Sequence, residues 1–442
     1  MAVRTGVARA LVLVAVGLLA AVPARAGTGG GAGLGATSPA VHHPRHHAAH
    51  RDARHPHRRQ RRHGARRRHR SRNPLHSRAM WIWEIPHTER GDIPGIIAEA
   101  HVYRITTLII KSSDGTNLWS QFTPALVDEL HGAHLRVCAW QYVYGARPGV
   151  EANLGADAVK DGADCLVIDA ETQYEGRYVA AQAYVHDLRK QIPARYPVAL
   201  AGFPYVDYHP AFPYSVFLGP GGAQYNVPQM YWRAIGTSVA QVFAHTYAFN
   251  LPYRRPIDPL GQVYGNPPMR QIVRFRELAR AYGAGGVSWW DWQEARSRGW
   301  TALSKTTGPA PRTVSAPVMA AVGKRAVGDL VVWIQEHLVQ AGFADAIDGD
   351  YGRHTRAAVK AFQTARGLLA DGIVGPQTWR ALLRYRPASV HWVRTGRRTI
   401  AQDATIRAGD GGAPLTLPAP RSARRPARRD EIPGTLGAGR AP

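Results

Sequence analysis

Two carboxylates stand two positions apart at the end of an apolar run, Leu166-Val167-Ile168-Asp169-Ala170-Glu171. Alternate residues of a strand face the same side, so Asp169 and Glu171 would point in one direction. A charged neighbour and apolar walls can keep one carboxyl protonated, as a general acid requires. We predict Glu171 as the acid and Asp169 as its partner. The alternative is that Asp169 caps a helix and Glu171 is a solvated loop residue.

Aromatic and polar residues end the other apolar runs of the same region. Carboxylates surrounded by Trp and Tyr suit sugar cleavage, because aromatic faces stack on pyranose rings while acids protonate the leaving oxygen. We predict that Tyr231 either binds a substrate N-acetyl carbonyl or packs in the core, and that one of Trp289 and Trp290 faces the site. The full predicted substrate-binding set is Trp83, Glu84, Asp114, Trp140, Tyr142, Gln229, Tyr231, Trp289 and Asp291.

Eight apolar runs alternate with helical patterns and predict the scaffold for these residues. Eight β-α units in roughly 225 residues favour a (β/α)8 barrel, in which chemistry lies at the C-terminal strand ends. A doubly wound sheet is the alternative, but no Gly-rich phosphate turn follows the first run. The runs are Met80–Glu84, Thr107–Lys111, Leu135–Tyr142, Cys165–Asp169, Val198–Phe203, Val227–Trp232, Pro256–Val263 and Gly286–Trp290.

Three of these runs resemble strands 2, 3 and 4 of the glycoside hydrolase family 25 lysozymes. The similar segments begin at Leu108, Leu135 and Leu166, and the third contains Asp169-Ala170-Glu171. The resemblance implies that Glu171 is the proton donor and Asp169 its partner. The chain departs from that family at Trp83-Glu84, where the family has an Asp. Its second half, with Gln229-Met230-Tyr231-Trp232, is equally similar to the chitinase-like barrels of family 18.

An eight-residue frame, D-G-x-x-G-x-x-T, occurs at Asp348–Thr355 and again at Asp371–Thr378. Asp-Gly predicts a tight turn, the second Gly a positive φ, and Thr a helix cap through its hydroxyl. Helical spacing follows each copy, and Asp329 is predicted to cap a helix before the first. Together these features indicate a small three-helix unit.

Gly328–Leu383 resembles the type 1 peptidoglycan-binding domain, including Ala-Val-Lys-Ala-Phe-Gln and the second D-G-x-x-G-x-x-T copy. The resemblance implies that this unit binds bacterial cell-wall peptidoglycan, as an appendage to a wall-degrading enzyme. No metal or cofactor is predicted, since the sequence has no His-Glu-x-x-His pattern and no Walker loop.

The formal charge of +25 lies almost entirely outside these two units. Residues 27–77 carry twelve Arg and one acid, and residues 384–442 carry twelve Arg and four acids. Such segments cannot bury a core, so we predict basic disordered tails. They would contact anionic wall polymers or serve only as solubilising linkers. Nucleic acid is not a predicted partner.

The N-terminus has the features of a secretory signal, with Arg4 and Arg9 before an apolar stretch and Ala24-Arg25-Ala26 as a cleavage site. We predict a secreted protein of the cell wall or periplasm without a stable membrane span. Whether Cys138 and Cys165 form a disulfide is left open. The predicted order is a signal peptide (1–26), a linker (27–77), the barrel (78–305), a linker (306–325), the binding domain (326–385) and a Pro/Arg-rich tail (386–442).

The sequence therefore predicts a secreted peptidoglycan-binding protein whose lysozyme-like barrel hydrolyses β-1,4 bonds of wall glycan. The alternative is a non-catalytic wall-binding or scaffold protein with a degenerate barrel.

Overall fold

Runs of apolar and β-branched residues form the strands of a parallel barrel, which confirms the predicted fold. The computed structural model describes residues 73–308, 316–343, 346–395 and 398–405. The strands of this region are β1 (Arg78–Ile82), β2 (Thr107–Asp114), β3 (Asn117–Leu118), β4 (Arg136–Val143), β5 (Cys165–Ala170), β6 (Val198–Gly202), β7 (Tyr225–Pro228), β8 (Leu260–Gln262) and β9 (Val287–Trp290).

The order of pairing around the sheet is β7-β6-β5-β4-β2-β1-β9-β8, with neighbours parallel throughout. Two parallel bridges, Asn226–Ile257 and Gln229–Leu260, join the ends of this path and close the ring. The short β3 folds back on the end of β2. All eight predicted runs coincide with barrel strands, although Gln229–Trp232 lies beyond the end of β7.

Helices cover the outside of the barrel because each segment has one apolar face. The helix α3 (Pro148–Lys160) lies between β4 and β5, in keeping with the predicted alternation of strands and helices. Its Gly155 lies against β4, where a Cβ would be 2.2 Å from Gln141 Oε1. The helices are α1 (Ile93–Val102), α2 (Pro124–Gly132), α3 (Pro148–Lys160), α4 (Tyr178–Gln191), α5 (Tyr214–Phe217), α6 (Trp232–Ile235), α7 (Val239–Asn250), α8 (Met269–Ala281) and α9 (Ser297–Ser304).

Large and small side chains fill the barrel interior, among them Trp81, Ile109, Trp140 and Val167. Cys138 and Cys165 lie opposite each other on β4 and β5. They form a disulfide, with their Cα atoms 4.6 Å apart. The bond thus crosses two neighbouring strands below the end of β5 that carries Asp169.

Three helices form the C-terminal unit, α10 (Asp329–Gln340), α11 (Arg353–Ala365) and α12 (Pro376–Leu382). A glutamine of the preceding helix organises each D-G-x-x-G-x-x-T loop. Gln335 Nε2 donates to Asp348 Oδ1 and Thr355 Oγ1, while its Oε1 accepts from the amide of Gly349. Gln363 makes the same contacts with Asp371, Thr378 and Gly372. The two loops therefore repeat the same hydrogen-bond arrangement as well as the same sequence motif.

The structure corrects two details of the predicted loops. The first glycines, Gly349 and Gly372, have the positive φ (72° and 76°), whereas the second glycines are extended. The Thr355 hydroxyl donates to the carbonyl of Asp350 instead of capping α11. The same hydroxyl accepts a hydrogen bond from Gln335 Nε2, so both of its contacts are with the loop and the preceding helix.

Asp329 does not cap its own helix, contrary to prediction. Gly328 is the capping residue, and the Asp329 carboxylate turns towards the barrel. It accepts hydrogen bonds from Ser215 N (2.7 Å), Ser215 Oγ (2.7 Å) and Tyr253 OH (2.8 Å). Every residue of α10 is buried. The binding domain is therefore packed against the barrel helices through α10.

The segment predicted as a tail from residue 386 contains two strands, which corrects that boundary. They are β10 (Ser389–Thr395) and β11 (Arg398–Thr405), paired antiparallel. Trp392 packs on Tyr178 of α4, with ring centroids 4.4 Å apart. Burial of the Trp392 side chain supplies the apolar contact that holds this hairpin. The rest of the predicted tail lies outside the described residues.

Part of the predicted linker is also packed. Val322 pairs with Val374 of the binding domain, and the amide of Ala320 donates to the carbonyl of Ala248 on α7. The predicted signal peptide lies outside the described residues, as does all of residues 27–72. Within the described part of the chain, no helix is long and apolar enough to span a membrane.

Candidate active site

The paired carboxylates lie at the C-terminal end of β5 and share one hydrogen-bond donor. Asp169 is the fifth residue of β5, and Glu171 follows the strand directly. Gln229, just beyond β7, donates from Nε2 to Asp169 Oδ1 (3.0 Å) and to Glu171 Oε1 (2.9 Å). One amide group therefore donates hydrogen bonds to both carboxylates. This juxtaposition requires the barrel, because 58 residues separate Glu171 from Gln229.

Burial and mutual repulsion favour protons on this pair. Asp169 is 5% exposed, and burial followed by the charge of Glu171 raises its pKa well above the usual range, with Lys111 opposing the rise. Burial also raises the pKa of Glu171, against hydrogen bonds from Gln229 and Tyr142 and the charge of His209. Carboxyls this close titrate as a unit. At least one of them keeps its proton above the ordinary carboxyl range, as a general acid must.

Lys111, the fifth residue of β2, forms the cationic side of the site. Its ammonium is 2.6 Å from Asp114 Oδ2. It also lies over the rings of Trp119 (4.4 Å), Trp140 (4.8 Å) and Trp83 (5.5 Å). Cation–π contacts and the ion pair together compensate the burial of this charge. Asp114 is thereby occupied as the partner of Lys111.

Aromatic rings form the walls around the carboxylates. Trp140 lies 5.5 Å from Trp290, and Trp83 lies 6.5 Å from it, measured between ring centroids. Tyr142 donates its hydroxyl to Gln173 Oε1 at 2.9 Å. Burial and the charges of Glu171 and Asp169 raise the pKa of Tyr142, so it remains a neutral donor beside the pair.

Trp289 does not face the site, which corrects its predicted role. Its ring packs on Phe275 of α8, 5.2 Å away, in the layer between strands and helices. Trp290 instead turns into the barrel and contacts Trp81, Trp83 and Trp140. Alternation along the strand required one of the two to face inwards, but the register of β9 against β1 decides which one.

Tyr231 and Asp291 are two further buried residues of the predicted set. Tyr231 is buried, and burial together with the charges of Asp169, Glu171 and Asp291 raises its pKa. Asp291 is buried too, and burial raises its pKa to about 7. Its Oδ1 accepts from the amide of Glu294 at 3.3 Å. Of the two residues, Tyr231 is thus close enough for the charges of the carboxylate pair to affect its pKa.

Glu84 lies at the rim and is not brought to the pair. Its carboxylate forms an ion pair with His87, three residues further along the chain. Gln293 Oε1 accepts hydrogen bonds from the amides of Trp83 and Glu84. Gln121 completes this corner by donating to the carbonyls of Trp83 and Lys111. Among the described residues, no three His, Cys, Asp or Glu side chains come together as a group that could hold a metal.

Sequence reasoning missed Lys111, Trp290 as the inward tryptophan, and Gln173. Lys111 carried a usable signal, since a lysine inside the apolar run Leu108-Ile109-Ile110-Lys111 must find a counter-charge. Gln173 carried none, because it lies in a loop whose partner, Tyr142, is 31 residues away.

Comparison with known proteins identifies the C-terminal unit. Residues 327–382 match the family described as "Putative peptidoglycan binding domain". The three-helix unit is a peptidoglycan-binding domain, as predicted. A stretch of 37 residues is 57% identical to the zinc D-Ala-D-Ala carboxypeptidase of Streptomyces albus G, covering 8% of this chain and 14% of that protein. Another of 83 residues is 39% identical to the N-acetylmuramoyl-L-alanine amidase CwlL of Bacillus licheniformis, covering 18% and 23%.

The chain spans less than a quarter of the length of these two curated relatives. A solved structure aligns with more of the chain: the Bacillus cereus spore cortex-lytic enzyme SleL is 12% identical over 54% of this chain and 76% of that one, with a TM-score of 0.40.

Proposed function

We propose that the barrel hydrolyses β-1,4 glycosidic bonds of cell-wall glycan, with Glu171 as the general acid. The observation that carries the proposal is the bracket of Asp169 and Glu171 by Gln229 at the C-terminal end of the barrel. Catalytic groups of such barrels lie at this end. A proton retained by the pair at neutral pH is what protonation of a leaving oxygen requires.

Glu171 is the member of the pair that reaches substrate. It is half-buried, whereas Asp169 is buried one layer deeper on the same side of the strand. Glu171 gives its proton to the glycosidic oxygen. Asp169 is the neighbouring carboxyl that shares a proton with Glu171. The half-buried Trp83 and Trp290 offer ring faces on which sugar rings can stack, and the buried Trp140 packs against Trp290.

The second role, stabilisation of the sugar cation, falls to the substrate's own N-acetyl group. Asp114 is paired with Lys111, and Glu84 is paired with His87. Neither carboxylate is therefore free to attack the sugar or to activate water. The Tyr231 hydroxyl, kept neutral by its raised pKa, donates to the acetamido carbonyl and orients it for attack.

The peptidoglycan-binding domain holds the enzyme on its substrate. Because α10 packs against the barrel, glycan bound by the domain stays at a fixed orientation to the site, and its effective concentration rises. Such a protein acts outside the cell, in the wall or periplasm, after export through the N-terminal signal. The Arg-rich tails would add contacts with anionic wall polymers.

The alternative function is wall binding without catalysis, and the pairing of Asp114 and Glu84 with basic residues favours it if the N-acetyl group takes no part. Mass spectrometry of fragments released from purified sacculi separates the two. The wild-type protein is compared with Glu171→Gln and with Glu129→Gln, a matched change on the exposed face of α2.

New reducing ends from the wild type and Glu129→Gln, reduced at least about a hundredfold in Glu171→Gln, would support the glycosidase. The bond cut is identified by the terminal sugar. Sacculus binding by all three proteins with no fragments from any would establish the non-catalytic alternative.

A further inference from the structure

A cavity of about 400 Å³ lies where the barrel, the binding domain and the C-terminal hairpin meet. Its walls come from α4, from the segment around Val216, from Glu336 of α10, and from Ala388 to Trp392. None of the carboxylate-site residues lines it. It is thus a separate concavity, of a volume that suits a small ligand.

Glu336 is the chemically unusual residue of this cavity. Its side chain is 4% exposed and lines the wall. Within the described part of the chain, no hydrogen bond or ion pair of its carboxyl group occurs. Burial and the nearby charge of Asp329 raise its pKa well above the usual range. A buried carboxyl without a donor or counter-charge is costly, and a cationic group of a ligand would offset that cost.

The opposite charge lies at the mouth of the same cavity. Lys190, at the end of α4, is exposed and lines it. Arg189 has a different role, because its guanidinium donates to Gly222 O (2.7 Å), Gly221 O (3.0 Å) and Gln224 Oε1 (2.8 Å). Arg189 therefore stiffens the wall, and Lys190 remains as the cation available to a ligand.

Trp392 supplies an apolar part of the cavity wall. Its ring is held against Tyr178, and its amide donates to Gln182 Oε1 at 3.0 Å. A buried acid, a hydrophobic ring and an exposed cation in one lining match a ligand that has an amine at one end, a short chain, and a carboxylate at the other.

We propose that this cavity binds the stem peptide of peptidoglycan, with a free amine at Glu336 and a carboxylate at Lys190. The proposal rests on peptidoglycan as the substrate of the proposed function. The protein would then recognise the two chemical components of the wall at separate places, glycan at the carboxylate site and peptide at this cavity.

Isothermal titration of the full chain with sugar-free stem peptides tests the proposal. The probe is a peptide with a free side-chain amine, beside the same peptide acetylated on that amine and beside free lysine. We expect Glu336→Gln, and acetylation of the peptide, each to weaken binding about tenfold or more. The two losses should not add, because both remove the same pair.

Lys190→Gln should weaken binding two- to threefold, as expected for an exposed charge, whereas the matched Lys160→Gln on α3 should have no effect. The acetylated peptide and Lys190→Gln test the proposal even if Glu336→Gln fails to fold. Equal binding of free and acetylated peptides would overturn it. Binding of free lysine as tight as that of the peptide would also overturn it, by indicating an amino-acid site.

Cleavage of peptide-free N-acetylglucosamine oligomers distinguishes this proposal from the proposed function. Glu336→Gln should cleave them at the wild-type rate, since the cavity shares no residue with the carboxylate site. If the wild-type chain cleaved the oligomers but bound free and acetylated peptides equally, only the peptide cavity would be refuted. Peptide binding without cleavage would refute only the glycosidase.

Discussion

Two buried aspartates of this protein, Asp169 and Asp329, show opposite uses of the same side chain. Asp329 lies between the barrel and the binding domain and accepts from Ser215 N, Ser215 Oγ and Tyr253 OH. Among the described residues, Asp169 accepts one side-chain hydrogen bond, from Gln229, and has a second carboxyl beside it. Burial raises the pKa of Asp329 only to about 6, because its donors stabilise the charge. The pKa of Asp169 rises well above its usual range.

The comparison of Asp169 with Asp329 indicates that burial alone does not make a carboxylate reactive. A buried carboxylate surrounded by donors is a structural contact between two domains. A buried carboxylate facing another, with one donor between them, retains a proton and can exchange it. The number of donors distinguishes the two cases, and each can be changed by a single substitution.

The largest expected effect is at the carboxylate pair. Asp169→Asn should lower glycan hydrolysis about a hundredfold, because the pair would no longer share a proton with Glu171. Unfolding free energy should change by less than about 1 kcal/mol, since Asn keeps an acceptor for Gln229. Hydrolysis of sacculi and urea unfolding check this, with Asp128→Asn on α2 as the control. Unchanged hydrolysis would place Asp169 with the structural carboxylates.

At the domain contact the expected effect is on stability. Tyr253→Phe removes one donor of Asp329 and should lower the free energy of unfolding by about 2 kcal/mol. Tyr247→Phe is the matched control: its hydroxyl is also buried but has no hydrogen-bond partner among the described residues. Urea unfolding of both variants measures the difference. Equal stability of the two would mean that Asp329 does not depend on its donors.

The pH dependence of stability gives a third test. The folded pKa of Asp329, about 6, lies above its unfolded value, so the folded state binds the proton more tightly. This contribution is full below about pH 4 and is lost as pH rises through 6, by roughly 1–3 kcal/mol. Unfolding of Asp329→Asn between pH 4 and 7 should therefore show a flatter profile than the wild type. Parallel profiles would contradict the assignment.

The smallest expected effect concerns the shared donor. Gln229→Met removes hydrogen bonds that lower the pKa of both Asp169 and Glu171. The pKa of the pair should rise, which shifts the alkaline limb of the pH–rate profile upwards, while the rate falls two- to tenfold. A pH series of glycan hydrolysis detects the shift. A limb that stays in place would show that Gln229 only positions the loop.

Much of the architecture could be predicted because its signals are local. The strands alternate with amphipathic helices, and both D-G-x-x-G-x-x-T loops carry their turn residues within eight positions. The strand alternation that directs Asp169 and Glu171 to one side is local as well. The glutamines that organise the loops were not recognised, since Gln335 and Asp348 are 13 residues apart.

The sequence by itself determined the order of strands and helices, the peptidoglycan-binding domain and the position of the carboxylate pair. Only the tertiary structure decided that Gln229 brackets the pair, that Trp290 and not Trp289 faces inwards, that Cys138 bonds Cys165, and that Asp329 joins two domains. The physical reason is distance along the chain. Propensity and periodicity act over a few residues, whereas register, barrel closure and domain packing bring together groups whose separation leaves no pattern in the sequence.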